Sequence, residues 1–252
     1  MGVSRRLLGS TGMAVSLIGL GTVKLGRNSD VKYPSAFELP SDDDARALLD
    51  AARALGVNLL DTAPAYGSSE ARLGALLEGQ RDDWLICTKA GEIYEGGQSR
   101  YDFTEQHIRA SVDASLKRLR TDRVDILLLH SDGRDEEIIE QFGALETLKS
   151  VRAQGKARAI GLSAKSASGL RSAMKHGADV LMATLNTDYL EEREAIAEAG
   201  ASGVGVLVKK ALASGHAGPE GLKFVADQPG VSSIVTGTTN PEHLAANCRA
   251  VS

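Results

Sequence analysis

Four side chains that can exchange or steer protons stand at or just after the ends of short apolar runs in the sequence: Asp61, Tyr66, Lys89 and His130. A phenol has a pKa of about 10, so it exchanges protons near neutral pH only with help from its surroundings. An ammonium group within about 4–6 Å favours the phenolate and lowers that pKa by roughly 1–3 units. We therefore expect Lys89 to lower the pKa of Tyr66. Asp61 would keep Lys89 charged, and His130 would position a substrate oxygen through a hydrogen bond.

Each of these residues also has an ordinary structural interpretation. Asp61 could cap a turn or the helix that follows it, which is the usual role of an aspartate at such a place. Lys89 and His130 are harder to explain in this way, because they close apolar runs and a lysine is almost never fully buried unless it is paired. Taken together, the four side chains favour a proton-donor site.

A second candidate site lies in residues 235–244, where an apolar run ends in Gly237, two threonines follow, and Pro241 opens a helix. The other N–H groups at that helix end are left free, and the positive end of the helix dipole attracts anions. Such an end binds phosphate readily. The alternative is an ordinary helix with Asn240 as its N-cap, and the residues alone favour the two interpretations about equally.

Short apolar runs alternate with helices of amphipathic spacing along the chain. The first helix follows the cap Ser41 and stops at Gly56. Further helices are predicted at 69–77, 104–119, 136–153, 168–175, 191–199, 220–226 and 241–250. Buried strands are predicted at 15–22, 58–61, 84–89, 124–130, 157–163, 180–185, 204–208 and 232–236.

Eight strand and helix units in 252 residues predict an α/β fold, the (β/α)8 or TIM barrel, for which about 250 residues is typical. A doubly wound sheet would carry G-x-G-x-x-G after its first strand, whereas Gly19-Leu20-Gly21 continues without a helix behind it. The turn cluster at 9–12 predicts a β-hairpin. We expect residues 1–252 to form a single barrel domain, with residues 1–14 as a hairpin region that closes the barrel bottom. Chemistry would then sit at the carboxyl ends of the strands.

The composition, 42% hydrophobic and 25% charged, is that of an ordinary globular protein. A net charge of -4 provides no basic field, so neither nucleic-acid nor membrane partners are expected. No apolar run reaches the roughly 18 residues that cross a bilayer, and Arg5-Arg6 precedes a hairpin pattern rather than an export signal. Cys87 and Cys248 form neither a disulfide framework nor a zinc motif. A cytoplasmic location and no bound metal are expected.

These residues resemble the signature of the aldo-keto reductase superfamily, and the similarity runs from the N-terminal hairpin to the last helix. The segment Asp61-Thr62-Ala63-x-x-Tyr66-Gly67-x-Ser69-Glu70-x-x-Leu73-Gly74 follows the family motif, and Lys89 and His130 fall on the next two strand ends. The resemblance implies NAD(P)H-dependent reduction of an aldehyde or ketone. In that reaction the cofactor's hydride goes to the carbonyl carbon, and Tyr66 protonates the oxygen.

The resemblance also implies where a cofactor binds. Ser163 matches the position that holds the nicotinamide amide, and residues 237–247 match the adenosine-phosphate site. The cofactor-binding positions taken together are Gly21, Thr22, Asp61, Ser163, Met182, Lys209, Lys210, Leu212, Gly237, Thr238, Thr239, Asn240, His243 and Asn247.

Several of these positions depart from the family pattern. Ala164 and Met182 replace an asparagine and a glutamine that bind the carboxamide, and Lys209 replaces an aromatic residue that stacks on the nicotinamide. Asn240 and His243 replace basic residues that many NADPH-specific members use. A neutral pair holds a 2′-phosphate less strongly than two cations do. The resemblance therefore implies NADPH as the cofactor, with NADH as the alternative.

The connecting segments bear on the substrate. Residues 23–40 and 90–103 are long enough to wall a pocket at the barrel mouth. Residues 213–221 are short where relatives often fold a clamp over the pyrophosphate, and the sequence ends just after the eighth helix. We expect a small-molecule carbonyl substrate whose identity the sequence does not specify. The oligomeric state is not specified either, although we favour a monomer.

Two other functions stay open from the sequence. One is a cofactor-binding regulatory or sensor subunit with little turnover, which resembles the channel-associated branch of the superfamily and is favoured by the missing carboxamide-binding side chains. The other is a lyase that forms a Schiff base through Lys89 or Lys210 at a strand end. Trp84 is predicted on the third strand, and its fluorescence is expected to report cofactor binding.

Overall fold

The computed structural model describes residues 2–29, 31, 37–215 and 217–252. Its strands are β1 (Arg5–Leu7), β2 (Ala14–Ser16), β3 (Ile18–Gly21), β4 (Leu59–Asp61), β5 (Leu85–Ala90), β6 (Glu92–Glu95), β7 (Gln98–Tyr101), β8 (Val124–His130), β9 (Ala157–Ser163), β10 (Val180–Thr184), β11 (Gly205–Lys209) and β12 (Val231–Gly237). Its α-helices are α1 (Asp42–Ala54), α2 (Ser69–Leu76), α3 (Glu105–Leu119), α4 (Asp135–Glu140), α5 (Ala144–Ala153), α6 (Ala167–Lys175), α7 (Arg193–Ala201), α8 (Glu220–Ala226) and α9 (Pro241–Ala250).

Eight parallel strands close into a barrel in the order β3, β4, β5, β8, β9, β10, β11, β12 and back to β3. Side chains of these strands alternate between two apolar clusters. Ile126 and Leu128 of β8 belong to the cluster inside the barrel, whereas Leu127 and Leu129 join the larger cluster that includes the helices. Burial on both faces explains why this strand is almost wholly apolar. The predicted (β/α)8 TIM barrel with an N-terminal hairpin is confirmed.

The N-terminal hairpin, formed by β1 and β2, packs on the end of the barrel where the strands begin. Leu8, Met13 and Val15 are buried in the same cluster as the interior side chains of the barrel. The Ser10 N–H donates to the Gly203 carbonyl at 2.7 Å, just before β11 starts. The end of the barrel opposite the hairpin is therefore the one where Asp61, Lys89 and His130 lie.

Local capping signals set several element boundaries. α1 begins with a capping box, in which the Asp44 N–H donates to Ser41 Oγ at 3.1 Å and the Ser41 N–H donates to Asp44 Oδ2 at 3.2 Å. The strands predicted at 124–130 and 157–163 occupy the predicted ranges as β8 and β9.

No helix in the described part of the chain is long and apolar enough to cross a membrane.

Several segments differ from the prediction. The strand predicted at 15–22 is divided into β2, which belongs to the hairpin, and β3, which belongs to the barrel. The helix predicted at 136–153 is divided into α4 and α5, because Gly143 adopts a left-handed conformation with a φ of 60° and interrupts the helical hydrogen bonds. Residues 90–103, predicted as a loop, contain the antiparallel pair β6 and β7. Gly96 and Gly97 join these strands with φ values of 60° and 81°. Positive φ at both turn positions suits a two-residue hairpin turn, so the Gly-Gly pair was a usable sequence signal.

Candidate active site

Three neighbouring barrel strands bring three of the predicted side chains together at their carboxyl ends. Asp61 closes β4, Lys89 lies near the end of β5, and His130 closes β8. Tyr66 comes from the loop after β4, and its N–H donates to the Ala63 carbonyl at 3.0 Å in a tight turn. All four predicted catalytic residues therefore line one cavity.

The Tyr66 loop crosses the segment that follows β3 with little room between the two backbones. Gly67 has a φ of 61°, and a side chain there would collide with the Gly26 carbonyl. A side chain on Gly26 would collide in turn with the backbone of Tyr66 and Ser69. These two glycines allow the close approach that fixes the path of the loop.

Lys89 is the centre of the hydrogen-bond network in the site. Its Nζ donates to Asp61 Oδ1 at 2.6 Å, to the Thr62 carbonyl at 2.9 Å and to the Tyr66 hydroxyl at 3.2 Å. Burial works against the ammonium charge, but Asp61, Tyr66 and Cys87 together outweigh it and raise the pKa of Lys89 well above its usual value. An ammonium group has three N–H donors, so each of them has an acceptor here and the group is held in a fixed orientation.

Tyr66 differs from the expectation drawn from sequence. Burial raises its pKa well above the usual value of 10 and outweighs the opposing effect of Lys89. The error lay in treating the two residues as a pair in water, because the enclosed site penalises the phenolate more than one ammonium stabilises it. Tyr66 therefore keeps its proton at neutral pH, which suits a proton donor.

His130 has a neighbour that sequence reasoning missed. Its Nδ1 lies 2.7 Å from Oε2 of Glu92 on β6, although the contact is not aligned as a good hydrogen bond. The Ser99 hydroxyl donates to the other oxygen of Glu92 at 2.7 Å. Burial would raise the pKa of Glu92, but His130 and Ser99 lower it to about 2. Burial also lowers the pKa of His130 below its usual 6.5, and Glu92 offsets only part of that effect.

The cavity has a volume of about 770 Å³ and extends from the four catalytic candidates to the start of α9. The predicted cofactor-binding residues that line it are Gly21, Asp61, Ser163, Met182, Lys209, Lys210, Leu212, Gly237, Thr238, His243 and Asn247. Its wall also includes Val23 and Val31, from the segment predicted to wall a pocket. The cavity thus joins the two candidate sites of the sequence, the strand ends and the segment after β12.

Three predicted cofactor-binding residues do not line the cavity. Thr22 is fully buried, and its Oγ1 lies 2.9 Å from the Asp61 carbonyl and 2.8 Å from Ser69 Oγ. Asn240 caps α9, because its side-chain oxygen accepts the Glu242 N–H at 2.7 Å. Thr239, which precedes this cap, is also absent from the wall. Thr22 and Asn240 therefore support the strand end and the helix end, and the cofactor contacts predicted for Thr22, Thr239 and Asn240 stay predictions.

Positive charge dominates the lining of the cavity. Among the described residues, its wall has one carboxylate, Asp61, and six cationic side chains: Lys24, Arg27, Lys89, Lys165, Lys209 and Lys210. The chain as a whole has a net charge of -4, so the positive lining of the cavity is opposite in sign to the net charge of the protein. Sequence reasoning missed three of the cations, because their convergence depends on separate loops. A cationic cleft concentrates anionic ligands.

Lys209, predicted to replace the aromatic residue that stacks on the nicotinamide, contacts Ser163, the residue predicted to hold the nicotinamide amide. Its Nζ donates to Ser163 Oγ at 3.0 Å and to the Ala164 carbonyl at 2.6 Å. Burial lowers the pKa of Lys209 to about 8, with a further contribution from Lys210 and an opposing one from Glu192. The Ser163 hydroxyl is therefore already engaged by a side chain of this protein.

A sequence model of the Aldo/keto reductase family matches residues 17–220, a span that contains all four catalytic candidates. The chain belongs to the aldo/keto reductase family. An aldo-keto reductase from Pseudomonas aeruginosa, a solved structure, superimposes with a TM-score of 0.90 and 49% sequence identity, covering 98% of this chain and 93% of that one. The N-terminal hairpin and the barrel described above are thus shared with this structure over nearly their full length.

Two relatives of this aldo/keto reductase family member are sugar dehydrogenases by name. D-threo-aldose 1-dehydrogenase from a Pseudomonas species is 33% identical over 207 residues, which are 73% of this chain and 60% of the relative. L-galactose dehydrogenase from Arabidopsis thaliana is 38% identical over 168 residues, which are 64% of this chain and 48% of the relative. The chain spans about half to three fifths of the length of these two relatives.

Proposed function

We propose that the chain is an NAD(P)H-dependent oxidoreductase that reduces an aldehyde or ketone to an alcohol. The observation that carries the proposal is the contact between Lys89 Nζ and the Tyr66 hydroxyl at 3.2 Å, at the wall of the cavity. In the described part of the chain, Lys89 is the hydrogen-bond partner of that hydroxyl, so the O–H proton is left to be donated into the cavity. Membership of the aldo/keto reductase family supports the same activity.

The cavity fits a dinucleotide cofactor in size and charge. Its volume of about 770 Å³ lies within the roughly 300–1,000 Å³ of small-molecule sites, and its cations complement phosphate groups. Gly237, Thr238 and Asn247 would hold the phosphate end, and Ser163 and Met182 would lie against the nicotinamide end. When bound, the reduced cofactor supplies the hydride that the protein itself lacks.

NADPH is our assignment for the cofactor, with NADH as the alternative. His243 lines the cavity near the start of α9 but is a histidine rather than an arginine or lysine, and Asn240 is occupied in capping the helix. Lys24, Arg27 and Lys210 line other parts of the wall and could compensate for these two residues. The assignment of NADPH therefore rests on the family rather than on a cation at this helix end.

The side chains of the protein would move the proton in the following way. Tyr66 donates its proton to the carbonyl oxygen as the adjoining carbon gains a hydride, so that the carbonyl becomes an alcohol and Tyr66 becomes a phenolate. Lys89 stabilises this phenolate at a distance of 3.2 Å. Asp61 keeps Lys89 charged and in place. Proton uptake from solvent then restores Tyr66.

The contact with Glu92 determines which nitrogen of His130 carries a proton. Glu92 is ionised at neutral pH, because its pKa is about 2, and an ionised carboxylate only accepts hydrogen bonds. A bare nitrogen lone pair 2.7 Å from that carboxylate would be repelled, so Nδ1 carries the proton. The neutral ring then has no proton on Nε2. His130 can therefore donate from Nε2 to a substrate oxygen only when the ring is protonated.

Replacing Glu92 by glutamine should move the pH profile of carbonyl reduction. The protonated fraction of His130 rises as pH falls through its lowered pKa, so kcat/KM should rise toward acid pH in the wild type. Glu92→Gln removes the carboxylate that favours the protonated ring, so the rise should occur at a pH lower by about one unit. Ser99→Ala is the matched control, because it removes a Glu92 contact but keeps the carboxylate. Coincident profiles for wild type and Glu92→Gln would contradict this role.

The proposed function is tested by binding followed by turnover. Fluorescence of the reduced nicotinamide should report saturable binding of NADPH or NADH. Trp84 is a poor probe, because it precedes β5 at the barrel end opposite the cavity. NADPH oxidation should then be measured with a panel of aldehydes, ketones and aldoses, the last because of the names of the relatives. Binding without turnover on any of these would favour the sensor subunit instead, and absence of binding would overturn both.

The structure favours turnover over the two alternatives. All four catalytic candidates are assembled with Lys89 against Tyr66, a contact that a sensor subunit would not need. A Schiff base requires an uncharged amine, whereas the pKa of Lys89, one of the two lysines named for the lyase, is raised well above its usual value. We propose a cytoplasmic setting, a small-molecule carbonyl substrate and a monomer. Both cysteines are free and buried, which suits a reducing compartment.

A further inference from the structure

Lys209 lines the cavity, so a ligand that fills the cavity lies next to it. It closes β11, which pairs with β10 on one side and with β12 on the other. Its Nζ reaches across β10 to Ser163 at the end of β9. Ser163 is the register partner of His130 on β8, so this ammonium group lies beside the strand that carries a catalytic candidate. A dinucleotide that extends from Tyr66 to the start of α9 therefore has Lys209 next to its nicotinamide end.

The ammonium group of Lys209 is held by uncharged hydrogen-bond partners. None of the ion pairs among the described residues includes Lys209, and its two hydrogen-bond acceptors, Ser163 Oγ and the Ala164 carbonyl, are uncharged. Glu192, the acidic group with the largest effect on it, is buried and accepts the Thr184 N–H at 2.8 Å. Burial raises the pKa of Glu192, and the Thr184 N–H and Lys209 act against that rise. The positive charge of Lys209 thus acts on whatever occupies the cavity.

The two redox forms of a nicotinamide cofactor differ in charge only at the ring. The oxidised ring carries a positive charge that the reduced ring lacks, whereas the phosphates are the same in both. A nearby cation therefore disfavours the oxidised form alone. On the basis of the function proposed above, we propose that Lys209 makes the site bind the reduced cofactor more tightly than the oxidised cofactor. Tighter binding of the reactant than of the spent cofactor favours release after carbonyl reduction.

The proposal is tested by the ratio of two dissociation constants, that of NADP+ divided by that of NADPH. The Kd of NADPH comes from its fluorescence, and that of NADP+ from competition with it. We expect a ratio of about ten in the wild type and of about one in Lys209→Met, a change of about 1.4 kcal/mol. Lys209→Gln should also give about one. Because glutamine retains a hydrogen-bond donor for Ser163, this second variant separates charge from hydrogen bonding.

Lys210→Met is the matched control. Lys210 lines the same cavity, and its removal takes away the same charge one residue further along the chain. We expect it to weaken binding of both redox forms by a similar factor and to leave the ratio near ten. If Lys210→Met lowers the ratio as much as Lys209→Met does, the effect belongs to the general charge of the cavity and the proposal fails.

The pH dependence of this ratio provides an independent readout. The ratio should fall as pH rises through about 8, where Lys209 loses its proton, and it should stay constant in Lys209→Gln. Lys89 keeps its charge over this range, because its pKa is well above the usual value. The charged groups that act on Lys209 are Glu192, Lys210, Lys89 and Asp135.

The outcomes distinguish this inference from the proposed function. A wild-type ratio of one at every pH, or a ratio unchanged in both Lys209 variants, overturns the role of Lys209. Turnover of a carbonyl substrate would then still support the proposed function. If the wild type binds neither cofactor form, the proposed function and the inference fail together.

Discussion

Replacing Tyr66 by phenylalanine should lower kcat for carbonyl reduction by about 10²–10⁴-fold, with NADPH affinity close to that of the wild type. The substitution removes the hydroxyl that would donate the proton and keeps the ring. That ring packs edge-on to His130 with 6.2 Å between centroids, and Lys89 Nζ lies 4.7 Å from its centre. The fold of the site should therefore persist. Single-turnover oxidation of bound NADPH measures the chemical step, and a fluorescence titration measures the affinity.

Tyr94→Phe is the matched control for Tyr66→Phe. Tyr94 also loses a hydroxyl, one that lies 3.0 Å from Ser29 Oγ, and Tyr94 on β6 is not part of the cavity wall. We expect kcat of this variant to stay close to that of the wild type. Unchanged kcat in Tyr66→Phe would remove Tyr66 as the proton donor, and another group would have to protonate the carbonyl oxygen.

The sequence was sufficient to predict which side chains meet at the carboxyl ends of the strands. Because parallel strands of a barrel finish at the same end, Asp61, Lys89 and His130 could be brought together without knowing any side-chain contact. The apolar run that became β8 and the capping signals around Ser41 and Asn240 are local, and local signals determine where elements begin and end.

Contacts between loops could not be derived in the same way. Glu92 meets His130 because β6 and β7 fold back toward the mouth of the barrel, and neither residue's neighbourhood in the sequence indicates the other. The pKa of Tyr66 was misjudged for a related reason. Proximity of Lys89 follows from spacing, whereas burial of Tyr66 depends on every element that excludes water from the site.

Lys209 shows a third limit. The resemblance indicated that Lys209 replaces an aromatic residue. From that alone, we could infer only that a stacking partner of the nicotinamide is missing. The structure adds which atoms the ammonium group bonds, Ser163 Oγ and the Ala164 carbonyl. Replacing the aromatic residue by Lys209 therefore does more than remove a stacking partner. It places a positive charge at a defined point in the cavity.

Lys89→Met should lower the free energy of unfolding by about 3–5 kcal/mol and abolish most carbonyl reduction. The side chains of Lys89 and Asp61 are 1% and 5% exposed, so the variant leaves a carboxylate buried without its cation. Breaking a buried pair by removing one partner carries a cost of this size. Urea unfolding followed by circular dichroism measures the loss. Arg53→Met is the control, because Arg53 and Asp83 are about half exposed, and it should cost no more than about 1 kcal/mol.

The double variant Asp61→Asn/Lys89→Met separates the structural role of the pair from its chemical role. Both charges are then gone, so no unpaired ion stays buried, and the double variant should recover most of the stability lost in Lys89→Met. It should not recover activity, because Tyr66 still lacks the ammonium group that stabilises its phenolate at 3.2 Å. If the double variant recovers both stability and activity, the ion pair of Asp61 and Lys89 serves only to stabilise the fold. Recovery of neither would mean that the hydrogen bonds of Lys89 to the Thr62 carbonyl and Tyr66, rather than its charge pair with Asp61, hold the strand ends together.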